Sequence, residues 1–321
     1  MQPRGDGPVR VILGTMNFGA RTSADESRRV LARALERGVT HWDTANAYAE
    51  GASEVLVGEV LRAHRDRGAP PAVQLATKVG IGTLKGPAEG LAPDTVTRAL
   101  EASLRRLGVP RVDLYYLHKP DPQTPLADTL RALAPALADG RVGAWGLSNF
   151  SAWRSLEVLH AADGLAVPRP SVGQMIYNVL VRDLEHEYLA FAQAYGLHTA
   201  VYNPLAGGLL AGHHRPGAPT EGSRFAKNPM YQRRYWSDRL FAVVDDLRQV
   251  AADAGLTLLA LAYRWLAGAK GVDSVLVGPA SVPHLDEALD ALDAGPLPRD
   301  VARAVDEVHR AYRGTDARYA R

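Results

Sequence analysis

HWDTANAYAE, residues 41–50, runs from a β-like segment into a loop and places two reactive side chains at the junction. Asp43 closes the apolar-leaning run, and Tyr48 follows five residues later. A turn accounts for the carboxylate but not for the phenol. A packed core accounts for the ring but not for the carboxylate. The pair makes sense together if this strand ends at a face where other strands deliver polar groups too.

Other short β-like runs do end that way. VRVILGT (9–15), VQLATKV (73–79), VDLYYLH (112–118), VGAWGLS (142–148), SVGQMIY (171–177), HTAVYNP (198–204) and DSVLVG (273–278) join HWDTA (41–45) to make eight. Amphipathic stretches separate them. ADESRRVLARALERG sets Val30, Leu31, Ala34 and Leu35 on one face and stops at Gly38, and PDTVTRALEASLRRLG runs from Pro93 to Gly108 with Leu100, Leu104 and Leu107 at helical spacing. Alternating strands and helices imply parallel neighbours, because parallel pairing needs a crossover. Eight units over 321 residues predict an α/β fold of the (β/α)8 barrel type, as one domain over 1–321 with a C-terminal helix. A doubly wound open sheet is the alternative, but GTMNFGA lacks the G-x-G-x-x-G spacing of its first turn. One segment breaks the rhythm. Residues 207–236, after the seventh strand, are rich in Gly, Pro and Arg and too long for an ordinary βα loop, and such loops are usually functional.

Composition narrows the chemistry. With 37 basic and 35 acidic residues the net charge is +2, which gives no reason to expect nucleic acid or an acidic membrane surface. There is no cysteine, which excludes disulfides, zinc–thiolate sites and thiol catalysis. No apolar run reaches the roughly 18 residues of a membrane span, and a soluble cytoplasmic protein is the expectation. His213-His214 has no third metal ligand placed beside it, and HEYLAF (186–191) lacks the second histidine of a zinc-protease motif.

In a closed βα barrel the active site lies at the C-terminal ends of the strands. Those ends here carry Asp43 with Tyr48 beyond it, Thr77-Lys78, His118-Lys119, Ser148-Asn149, Gln174 with Tyr177-Asn178, and Tyr202-Asn203. A free tyrosine, with a pKa near ~10, is a poor acid at neutral pH. A nearby lysine ammonium favours the phenolate, and a carboxylate beside the lysine keeps it charged. A histidine can hold a substrate oxygen. Asp43, Lys78, Tyr48 and His118 thus read as a tuned phenol that protonates an oxygen becoming an alcohol. No side chain donates a hydride, so carbonyl reduction calls for a nicotinamide or flavin. Ser148, Asn149 and Gln174 suit a nicotinamide carboxamide, and Tyr202 could stack on its ring.

LGTMNFG, DTANAY followed by GASE, ATK, YLH, GLSNF, QMIYN and YNPLAGGLLAG stand in one order along the chain from about residue 9. Together they resemble the aldo-keto reductase superfamily. YNPLAGGLLAG, SRF, Y-x-x-R-x-W and a chain ending in Arg321 resemble its aflatoxin-aldehyde and succinic-semialdehyde reductase branch. The resemblance implies a (β/α)8 barrel and NADP-dependent reduction of a small-molecule aldehyde or ketone. It assigns Tyr48 as proton donor, Lys78 and Asp43 as its tuners, and His118 as orienter of the carbonyl. Gly14, Thr15, Met16 and Asp43 would meet the cofactor. Ser148, Asn149 and Gln174 would hold the carboxamide, and the backbone from Tyr202 through Asn203, Pro204, Leu205, Gly207, Gly208 and Leu210 to Gly212 would wrap the pyrophosphate. Arg224 would reach the phosphates. Segment 278–288, with Gly278, Ser281, His284 and Glu287, would lie along the adenosine. Tyr231, Arg234 and Arg321 would line the substrate side.

Gly278-Pro279, His284 and Ala288 depart from the Lys-Ser, Arg and Asn that many members carry around the adenosine, which admits NADH beside NADPH. Two further functions fit the same barrel: a non-catalytic, cofactor-sensing regulatory subunit, and a specialised-metabolism reductase of a ketosugar or polyketide-type ketone. A monomer and a homodimer are both compatible with the sequence. Among the remaining residues, Trp145 reads as barrel interior, Lys119 as a rim charge, and Trp236 as either loop packing or a substrate wall.

Overall fold

The computed structural model describes residues 3–4, 7–66, 73–82, 89–226 and 228–313. Eight parallel strands close on themselves in sequence order: β1 (Arg10–Gly14), β2 (His41–Asp43), β3 (Gln74–Val79), β4 (Val112–Leu117), β5 (Val142–Ser148), β6 (Val172–Ile176), β7 (His198–Tyr202) and β8 (Ser274–Val277). The ring is completed where Arg10 to Leu13 pair with Ser274 to Val277. Helices α1 (Ala24–Glu36), α2 (Ala52–Asp66), α3 (Pro93–Leu107), α4 (Leu126–Ala138), α5 (Ala152–Gly164) and α6 (Tyr188–Ala194) each follow one strand. After β7 come a 3₁₀ turn (Ala206–Ala211), then α7 (Pro229–Tyr235), α8 (Asp238–Asp253) and α9 (Leu258–Gly268). After β8 come α10 (Val282–Asp293) and the C-terminal helix α11 (Arg299–Arg313).

The helix ends obey local chemistry. The Ser23 hydroxyl accepts from the Glu26 N–H, Ser151 caps α5 and Thr257 caps α9 in the same way, and Gly108 ends α3 with a left-handed φ of 63°. Strand residues alternate between two cores. Leu13, Trp42, Leu75, Tyr115, Leu117 and Trp145 face outward and pack under the helices. Ile12, Ala76, Leu114, Tyr116, Val172, Ala200 and Leu276 fill the barrel itself. Trp145 therefore belongs to the helix-facing layer and not to the barrel interior, its indole N–H donating to the Pro168 carbonyl at 2.6 Å. Its neighbour Gly146 is the residue that faces in. A Cβ there would lie 2.8 Å from the Tyr116 ring, so the space is already taken.

The segment after β7 is built, not open. Trp236 packs tilted against Phe225 (4.7 Å) and edge-on to Phe241 (5.0 Å) and donates to the Gly217 carbonyl at 2.6 Å, which settles it as loop packing. Among the described residues no single helix is long and apolar enough to cross a membrane, and no group of three metal-ligating side chains occurs.

Candidate active site

β2, β3 and β4 bring four side chains to one spot at the C-terminal rim. Lys78, fully buried on β3, reaches across to β2. Its ammonium bonds the Asp43 carboxylate, donates to the Thr44 carbonyl at 2.9 Å and lies 3.1 Å from the Tyr48 hydroxyl. The Gln174 amide donates to the other Asp43 oxygen at 2.8 Å. Asp43 is thus fixed from both sides, and Lys78 is held between a carboxylate and a phenol. The His118 ring stands edge-on to Tyr48, with centroids 5.8 Å apart. His118 Nδ1 is buried without a hydrogen-bond partner. That nitrogen leaves His118 with a hydrogen-bonding position free beside the Tyr48 ring.

The electrostatics follow from burial and neighbours. Burial works against the Lys78 ammonium, but Asp43 and Tyr48 outweigh it, and its pKa stands above the ordinary lysine value. For Tyr48 the sequence suggests a pKa lowered by the lysine. Burial is the larger influence here; Lys78 pulls down, Asp43 pushes up, and the phenol ends above its ordinary value. Tyr48 therefore keeps its proton near neutrality. His118 is driven well below the ordinary histidine value by burial first and then by the charges of Lys78 and Lys119, so its imidazole is neutral.

The other sequence-identified residues divide into two groups. One group surrounds this rim. Ser148 is buried next to Asn149, whose backbone is left-handed with φ 64°. The Asn149 amide donates to the Ser148 hydroxyl at 3.1 Å and the His118 carbonyl at 2.9 Å, and accepts from the Tyr202 hydroxyl at 2.6 Å. Gly14 and Gly278 face each other at the β1–β8 seam. A Cβ on either would meet only ordinary contacts, so the protein's own packing does not demand glycine at either position. Bare backbone there leaves room for a ligand. Met16 is exposed beside it, as are His284 and Glu287 on α10, with Ser281 half-exposed at its start.

The second group is spent on the fold itself. The Thr15 hydroxyl donates to the Asp43 carbonyl at 3.0 Å and accepts from Ser53 at 2.7 Å. Asn203 donates to the Tyr235 hydroxyl and accepts from the Gly207 N–H at 2.6 Å, pinning the turn. Leu210 and Pro204 are buried and Leu205 is half-buried, so only the backbone of this turn can be offered to a ligand. Gly207, Gly208 and Gly212 have φ of 74°, 107° and 87°, and a Cβ on Gly207 would strike the Tyr231 ring at 2.8 Å.

Arg224 sits where two loops meet. It donates to the Tyr231 hydroxyl at 3.0 Å and to Asn17 Oδ1 at 2.6 Å, while Arg21 donates to the Gly222 carbonyl at 3.0 Å. Arg234 lies 5.9 Å from the Tyr231 ring centre. Among the described residues none of these three arginines forms an ion pair, so together they leave a cationic patch beside the tetrad. Arg321 lies outside the described residues. Arg21 and Tyr235 take part without any local sequence signal, and Asn17 and Thr44 lie within LGTMNFG and DTANAY, but only the assembled loops reveal their contacts.

The Aldo/keto reductase family model matches residues 10–310. Aflatoxin B1 aldehyde reductase member 2 of Rattus norvegicus is 35% identical, with 94% of this chain and 85% of that protein covered. Aldo-keto reductase family 7 member A3 of Homo sapiens is 36% identical over 92% of each. A probable voltage-gated potassium channel subunit beta of Arabidopsis thaliana is 32% identical over 92% of this chain and 93% of its own. The solved glycerol dehydrogenase AKR11B4 of Gluconobacter oxydans superposes with a TM-score of 0.80 at 25% identity, covering 100% of this chain and 98% of that one. With the barrel, the four-residue rim and these likenesses in agreement, the chain belongs to the aldo/keto reductase family.

Proposed function

We propose that the protein is an NADPH-dependent reductase of an aldehyde or ketone, acting as one barrel domain. The observation that carries the reading is the Tyr48 hydroxyl, 3.1 Å from the Lys78 ammonium and edge-on to a neutral His118. A nicotinamide held at this rim would supply the hydride, which no side chain can. Tyr48 gives its proton to the carbonyl oxygen as charge develops there. Lys78 stabilises the phenolate left behind, and Asp43 with Gln174 keeps Lys78 aimed. His118 donates its one N–H to the same oxygen and fixes the carbonyl against Tyr48. Ser148, Asn149 and Gln174 stand where an amide could be exchanged for their internal bonds. Arg224 and the turn at 206–212 offer cationic and backbone donors for phosphates. Arg21 and Arg234 favour a carbonyl compound that carries a negative charge.

A second reading keeps the same barrel as a cofactor-sensing regulatory subunit, and it is supported by the relative named as a potassium channel subunit beta. Turnover separates the two. The purified protein is offered NADPH or NADH with 4-nitrobenzaldehyde, succinic semialdehyde, methylglyoxal and a ketosugar, and absorbance at the nicotinamide band is followed. Catalytic oxidation of NADPH supports the reductase. Tight nucleotide binding with no turnover on the whole panel supports the regulator, or a narrow reductase of a ketosugar or polyketide-type ketone.

A further inference from the structure

The barrel is not solid beneath the tetrad. A cavity of about 50 Å³ lies inside it, with His41, Gln74 and Asp113 at the strand starts and Asp43 and Tyr116 above. Bulky branched side chains usually fill such layers. Here Ala76 and Ala144 stand halfway up and leave the space. A water needs roughly 10–15 Å³ and two to four polar partners. The cavity exceeds that, and polar groups line both its ends. Gln74 is exposed and His41 and Asp113 are half-buried, so the floor meets solvent. At the top, the Lys78 and Asp43 side chains are 0% and 2% exposed, so neither is rehydrated from the active-site mouth.

We propose that this cavity is a water-filled proton conduit, entered at His41, that recharges Tyr48 through Asp43 and Lys78 after each carbonyl reduction. The inference rests on the reductase reading. Each reduction removes one proton from Tyr48. The phenolate takes a proton from the Lys78 ammonium along their 3.1 Å contact. Lys78 regains it along its bond to Asp43, which draws on the water below. His41 passes in one proton from bulk solvent and ends as it began, so one solvent proton is consumed per alcohol formed. Burial, with Arg10 alongside, holds the His41 pKa below the ordinary value against the opposite pull of Gln74 and Asp113. A neutral ring there can accept on one nitrogen and release from the other. Tyr48 itself is only half-exposed at the mouth, and the floor is a second side open to water.

The test follows nucleotide oxidation and, with a pH-indicator dye, proton uptake together in a stopped-flow instrument over several turnovers. Two variants block the route away from the tetrad: Ala144→Val fills the cavity and His41→Phe removes its entry group. In the natural protein proton uptake keeps pace with oxidation. In both variants the first turnover, which uses the proton already on Tyr48, keeps its rate. Later turnovers and proton uptake then slow by about tenfold or more. Proton uptake that stays synchronous in both variants overturns the conduit. So does a first turnover slowed as much as later ones, because that shows a disturbed tetrad rather than a blocked path. A natural protein that binds NADPH but oxidises none of it with any carbonyl overturns the reductase reading, a result distinguishable from either of these.

Discussion

The Lys78 ammonium lies 3.1 Å from the Tyr48 hydroxyl, and it reaches that position from inside the barrel, fully buried. The phenol is therefore both the outermost and the only proton-bearing hydroxyl in contact with this charge among the described residues. Tyr48→Phe removes the proton donor and little else, because the ring still packs against His118. The expected result is a loss of about 10²–10⁴-fold in kcat for carbonyl reduction, with NADPH affinity nearly unchanged. Steady-state rates and a fluorescence titration of NADPH read the two quantities separately. Turnover within tenfold of the natural protein would remove Tyr48 from its assigned role.

Lys78→Met asks a different question of the same cluster. Asp43 keeps Gln174 at 2.8 Å but loses its counter-charge while its side chain is only 2% exposed. Breaking a buried pair from one side costs about 3–5 kcal/mol, much of it the penalty of a stranded charge. Denaturant unfolding of Lys78→Met should show a loss of that order. Adding Asp43→Asn should restore a large part of the stability and none of the activity. Equal stability of the single and double variants would mean that Asp43 is not the stranded group.

The tetrad was legible in the sequence because strand ends are. Asp43, Lys78 and His118 each lie at or next to the end of an apolar run, with Tyr48 in the loop beyond, and a closed parallel barrel sends all such ends to one rim. What the alternation could not give was the facing of single residues near a glycine. Trp145 reads as interior by size, yet Tyr116 already occupies the space opposite Gly146 and sends the indole outward. Nor could sequence separate ligand contacts from loop pins. Asn203 stands in a ligand-like position, but its amide is consumed by Tyr235 and Gly207. The Arg224–Asn17 bond joins residues 207 apart, and no local pattern encodes such a contact. The direction of the Tyr48 pKa also escaped, since it depends first on how deeply the hydroxyl is buried and only then on the charges of Lys78 and Asp43.

Acid should loosen the segment after β7. His214 is buried edge-on to Phe225 at 5.1 Å and Trp236 at 5.4 Å, its Nδ1 without a partner, and burial lowers its pKa to about 4. The unfolded chain has the ordinary histidine value near ~6.5 and binds a proton first as pH falls. Stability is therefore fully present above about 6.5 and is lost as pH drops from there towards about 4. His118, also depressed, adds in the same direction. Thermal melts between pH 7 and pH 4 should show a falling Tm, with a shallower fall in His214→Phe. Parallel curves for the two proteins would take His214 out of the acid response.

The choice between NADPH and NADH should turn on Glu26. Its carboxylate accepts from the Val282 N–H at 2.9 Å, at the start of α10, and pairs with Arg29. On the proposed reading this helix end lies along the adenosine, so an additional phosphate on the ribose would meet a carboxylate that already occupies a helix-start donor. Arg29 is the cation close enough to oppose that repulsion. Glu26→Gln keeps a hydrogen-bond acceptor for Val282, removes the negative charge and frees Arg29. A charge contact at such a half-exposed position is worth about 0.5–1 kcal/mol. The dissociation constant for NADPH should accordingly fall by roughly two- to fivefold, while that for NADH stays within error. Isothermal titration of both nucleotides, at two salt concentrations, reads this directly, and the NADPH gain should shrink at the higher salt. An equal gain for both nucleotides would place Glu26 away from the phosphate and leave it as a helix cap alone.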